Sequence, residues 1–90
     1  MSELIELINL TKQARDRCNA ETGGLQNITI SVSGDGVVVA GNRAGLLELA
    51  RLTIMVASKE QSGSHQDIDK GSFASKADSV LTIALHTELL

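Results

Sequence analysis

The residue types best suited to chemistry gather in one run, His65-Gln66-Asp67-Ile68-Asp69. In a β-strand alternate side chains share a face, so His65, Asp67 and Asp69 would project together as an imidazole and two carboxylates. Such a set suits a proton relay or a metal site with nitrogen and oxygen ligands. The other histidine, His86, lies in a different segment, and no further ligand types cluster with the run. The spacing therefore favours a polar strand face opposite Ile68, and no metal is expected.

A second stretch, Gly34-Asp35-Gly36 followed by Gly41-Asn42-Arg43-Ala44-Gly45, has the composition of a phosphate cradle, with Arg43 where a helix would open. Neither the dinucleotide fingerprint nor the P-loop spacing is present. A hairpin turn and a strand-to-helix turn account for the same glycines, with Gly45 small so that the helix can approach the sheet. Cys18 has no histidine near it in sequence and falls on an apolar helix face, the usual place of a structural thiol. No serine sits in a G-x-S-x-G elbow. Neither an enzymatic activity nor a cofactor is expected from these residues.

Periodicity predicts the elements that must position them. Leu4, Leu7, Ile8, Thr11, Ala14 and Cys18 share a face at helical spacing, so residues 2–19 read as a helix stopped by Gly23-Gly24. A strand through Leu4–Leu10 competes with that reading, because its apolar residues are also dense enough for sheet. Asn27–Ser33 alternates Ile28, Ile30 and Val32 with Thr29, Ser31 and Ser33, the pattern of a half-buried strand. Gly34-Asp35-Gly36 turns the chain, with positive-φ glycines, into a return strand over Val37–Ala40. Asn42 is suited to cap a helix from Arg43 to about Ser58, apolar over more than half its circumference. His65–Ile68 reads as a third strand, Lys70–Lys76 as a loop, and Asp78–His86 as the final strand. The expected fold is α+β in the order α-β-β-α-β-β. It has about four strands in a mainly antiparallel sheet, with two helices packed on one face.

Composition limits the function further. Ninety residues make one domain, 1–90, of about 12 Å radius of gyration and roughly 5,000 Å² of surface. Phe73 is the only aromatic residue, so the core must be aliphatic and base-stacking platforms are lacking. The net charge of −3 opposes phosphate backbones, so nucleic acid is not an expected partner. A basic protein is a better match for such a surface. Cys18 is the single cysteine, and the N-terminus shows neither a signal peptide nor a membrane span. A cytoplasmic protein that binds no membrane is expected.

The run Val37-Val38-Val39-Ala40-Gly41-Asn42-Arg43-Ala44-Gly45-Leu46-Leu47-Glu48-Leu49-Ala50 resembles a signature of the immunity protein 32 family of bacterial polymorphic toxin systems. His65-Gln66-Asp67-Ile68-Asp69 and Ser79-Val80-Leu81-Thr82-Ile83 are similar to two later elements of that family. Asp67 stands where the family pattern has a second histidine, and the N-terminal helix replaces a short strand. The resemblance implies neutralisation of a cognate toxin domain by tight, non-catalytic binding. On that reading the contact residues are polar: Asp35 at the hairpin tip, Glu48 and Arg51 on the helix, and the face bearing His65, Asp67 and Asp69. The alternatives are a small adaptor, homodimeric through a sheet edge, and a regulatory module that binds a ligand at the Gly41–Gly45 turn.

Overall fold

The computed structural model describes residues 2–88. Its elements run α1 (Ser2–Thr22), β1 (Ile28–Ser33), β2 (Gly36–Gly41), α2 (Arg43–Ala57), β3 (His65–Ile68), β4 (Ala74–Ala77) and β5 (Leu81–Ala84). The class is α+β, but the sheet is not the four-stranded one expected. Five strands divide into a three-stranded sheet ordered β2-β1-β4 and a two-stranded sheet of β3 and β5. β1 pairs antiparallel with β2 and parallel with β4, and β3 pairs antiparallel with β5.

The β1–β2 hairpin follows the alternation of its residues. Ile28 and Ile30 are buried, and they lie opposite Gly41 and Val39. Positive φ is confined to Gly36, at 143°, rather than spread across the turn. On its other side β1 takes a partner that sequence reading placed in a loop. Ala74-Ser75-Lys76-Ala77 has little strand propensity, and tertiary hydrogen bonds draw it into the sheet. The Ser75 N–H donates to Asn27 Oδ1 (3.0 Å), the Asp78 N–H to Ile30 O (2.9 Å), and the Val32 N–H to the Asp78 carboxylate (2.9 Å).

Asn42 caps α2, its Oδ1 accepting from the Gly45 N–H at 2.7 Å. Leu49 and Leu52 face a core built on Ile28, Ile30, Ile68 and Ala74, against which Val39, Phe73, Leu81 and Ile83 also pack. Both sheets share this one cluster, and Phe73 plugs its loop onto it.

α1 ends where Gly23 takes φ 69° and donates its N–H to Asn19 O. It packs chiefly against α2 instead of lying beside it on a sheet face. Leu4, Ile8, Thr11, Ala14, Arg15 and Cys18 are half-buried, while Leu7, expected inside, is 45% exposed. Stacking one helix on the other leaves the chain open. Its radius of gyration is 13.9 Å and its surface 6020 Å², against about 12 Å and 5,000 Å² for a compact chain of this mass.

Candidate functional site

The outer face of the β3–β5 ladder brings together part of the predicted site. Asp67 lies opposite Thr82 and accepts its hydroxyl at 2.8 Å through Oδ1. His65, on the same face, holds Nδ1 3.1 Å from Gly63 O and turns Nε2 to 3.9 Å from Asp67 Oδ2. A carbonyl only accepts, so Nδ1 carries a proton and Nε2 is left facing the carboxylate. Both side chains are more than half exposed, and the carboxylate offers an acceptor at the surface. Gln66 and Ile68 point the other way, Ile68 fully buried.

Asp69 does not join that face. It lies past the end of β3, in the turn to β4, where its carboxylate accepts from the Gly71 N–H at 2.8 Å. Its carbonyl accepts from the Ser72 hydroxyl (2.8 Å), and its N–H donates back to that hydroxyl (3.1 Å). Asp35 is farther off, at the hairpin tip. Ile28 at the near end of β1 receives the β3–β4 turn through Phe73 O, so five residues of strand, about 17 Å, separate the two ends. Asp35 is exposed, and its N–H donates to the Ser33 hydroxyl.

Glu48 and Arg51 have another role. Glu48 is 7% exposed and is the one buried charged residue among those described. Arg15 of α1 reaches Oε1 at 2.7 Å, and Arg51 grips both carboxylate oxygens at 2.6 and 2.9 Å. Burial by itself would raise the Glu48 pKa, but hydrogen bonds from Arg51 and Arg15, with their charges, hold it below the ordinary value. The guanidinium of Arg15 is held above its usual range by the hydrogen bond to Asp16 and by Glu48, and that of Arg51 by Glu48. This cluster joins the two helices. Sequence analysis gives Arg15 no role. The signal was its place on the inner stripe with Leu4, Ile8, Thr11 and Cys18.

The Gly41–Gly45 turn is filled by protein. A Cβ at Gly45 would stand 2.1 Å from Asn27 O, and one at Gly41 would stand 2.7 Å from the same atom. Asn42 completes the junction: Oδ1 also accepts from the Asn27 N–H (3.1 Å) and Nδ2 donates to Leu25 O (2.9 Å). The glycines admit the Asn27 backbone, which occupies the room a phosphate cradle would need. Beside this junction Cys18, Thr22, Asn42, Arg43 and Ala44 line a cleft of about 110 Å³. That is well under the ~300 Å³ at which small-molecule sites begin. Among the described residues no three His, Cys, Asp or Glu side chains gather as metal ligands. No helix among them is long and apolar enough to cross a membrane.

The larger surface feature is apolar. Nine large hydrophobic side chains are exposed among the described residues. Three are on α1 (Ile5, Leu7, Leu10) and three on the hairpin (Val32, Val37, Val38); Leu25, Leu46 and Val80 complete the set. Among the described residues only Ile28, Ile30 and Ile68 are large and fully enclosed. Comparison of the chain with protein families, curated proteins and solved structures gave no match.

Proposed function

We propose that this protein acts by non-catalytic protein binding, and that its partner is a cognate toxin domain neutralised in the cytoplasm of the producing cell. The toxin enters through the resemblance of residues 37–50, 65–69 and 79–83 to the immunity protein 32 family. The binding role is supported by one structural observation, the unspent surface. The chain exposes about 1,000 Å² more than a compact chain of its mass, comparable with the ~800 Å² that each partner buries in a standard interface. Asp35, His65, Asp67 and Asp69 are exposed polar contacts for that interface, and the net charge of −3 favours a basic partner. Glu48 and Arg51 support it from inside by holding α1 to α2.

Co-expression with the C-terminal domain of the neighbouring gene product tests the reading, with growth and co-purification as the readouts. Rescue of growth with a stable complex is the expected result. Toxicity that persists with no complex formed would refute it. The double variant Asp67→Lys/Asp69→Lys is expected to weaken the complex, chiefly by slowing association at low salt. Unchanged affinity would remove the acidic face from the interface.

The adaptor reading has an observation of its own in the open edge of β2. The ligand-binding module has none, since Asn27 occupies the turn it would use.

A further inference from the structure

β2 ends the three-stranded sheet, and the direction of its main-chain groups can be read from β1. The Ile28 N–H donates to Phe73 O, Ile30 O accepts from Asp78, and the Val32 N–H donates to the Asp78 carboxylate. Ile28, Ile30 and Val32 therefore direct their main-chain groups toward β4, and the alternate residues Thr29, Ser31 and Ser33 face β2. Those three lie opposite Ala40, Val38 and Gly36. Val37, Val39 and Gly41 consequently turn their N–H and C=O groups outward, where no described residue bonds them.

Edge strands of soluble proteins are usually protected by charge, proline or a bulge. Gly36-Val37-Val38-Val39-Ala40-Gly41 has no charge and no proline, and its ladder with β1 runs without a register shift. Val37 and Val38 are 58% and 61% exposed. An apolar edge of this kind is a template for another strand.

We propose that β2 pairs antiparallel with β2 of a second copy of this chain, about a two-fold axis at Val39. This register opposes the most outward-facing groups. Val39 meets its own equivalent and Val37 meets Gly41, each opposed pair exchanging both N–H···O bonds. A register centred on Val38 would bond only Val37 to Val39 and set Gly41 against the turn at Asp35, with fewer bonds. The side chains fit the same register, because Val37 falls opposite Gly41 and Val38 opposite Ala40, large against small on each face. The product is one continuous sheet, β4-β1-β2-β2-β1-β4, with both β2 edges satisfied. Val37 and Val38, 58% and 61% exposed in one chain, gain cross-strand neighbours on pairing. The inference does not rest on the toxin reading, because the pairing forms in the isolated protein.

Sedimentation and amide hydrogen exchange of the purified full chain test it together. The expected mass is twice the 9.5 kDa of one chain. The Val37, Val39 and Gly41 amides should become protected as concentration rises, while those of Val38 and Ala40 are protected throughout by β1. Val37→Pro removes an N–H that β1 does not use, and Val38→Lys places charge on an exposed edge position. Both variants should return to the mass of one chain with the native circular dichroism, and Val38→Thr should stay paired. Should Val37→Pro fail to fold, Val38→Lys decides. A wild type of single-chain mass with freely exchanging outward amides would overturn the proposal. So would a dimer that survives Val38→Lys, since its contact would lie elsewhere.

Discussion

Glu48 and Asp67 are both carboxylates gripped by neighbouring side chains, one between the helices and one on the outer face of β3–β5. Glu48 meets two guanidinium groups and is 7% exposed; Asp67 meets a hydroxyl and an imidazole with its side chain 52% exposed. By residue type, both looked like polar contacts offered to a partner. Packing separates them. A carboxylate enclosed by protein must be neutralised by its neighbours, so Glu48 is committed to the fold. A carboxylate in water loses little when its neighbours change, so Asp67 is free to serve a partner.

The largest test of that contrast is Glu48→Ala. Arg51 left without a carboxylate, and Arg15 with only the exposed Asp16, should cost about 3 kcal/mol or more of unfolding free energy in denaturant titration. A loss under about 0.5 kcal/mol, normal for a surface substitution, would put the cluster in effective contact with solvent and erase the difference. Acid sharpens it next. The folded pKa of Glu48 is lowered from 4.5, so its contribution is complete above that value and is lost as pH falls through the folded pKa. Thermal unfolding of wild type and Glu48→Gln should differ at neutral pH and converge below about pH 4.5. A gap independent of pH would assign the effect to shape rather than charge.

Smaller changes belong to the strand side. Asp69→Ala should cost about 1 kcal/mol, the worth of the hydrogen bond from the Gly71 N–H, read as a shift in the denaturation midpoint. Asp67→Asn should change stability by less than about 0.5 kcal/mol while altering the salt dependence of partner association. If Asp67→Asn destabilised the protein as much as Glu48→Ala, the two clusters would be equivalent and Asp67 would be structural.

Much of the fold was legible in residue order. Alternation over Asn27–Ser33, the Asn42 cap and the stop at Gly23 each state a local rule, and the corresponding elements form where expected. β4 was not legible, because Ala74-Ser75-Lys76-Ala77 carries no strand signal and joins β1 through Asn27 and Asp78, both far away in sequence. The division into two sheets was hidden for the same reason. Of the expected site, the shared face of His65 and Asp67 followed from the two-residue repeat of a strand. Asp69 left that face because the turn took its carboxylate, a competition between strand and loop that spacing does not show.

What the sequence by itself determined are the features that depend on neighbours in the chain: helix and strand periods, caps, turns, an aliphatic core and an acidic balance. Only the tertiary structure decided which charges are enclosed, which strands pair and which edge is open. Those outcomes depend on groups that meet after the chain has folded back on itself. Arg15 and Glu48 are 33 positions apart, and β1 reaches Asp78 across 46. Burial changes the energy of a charge or an unpaired N–H by several kcal/mol, more than any local propensity. The same residue types therefore become structure inside the helical layer and available surface on the sheets.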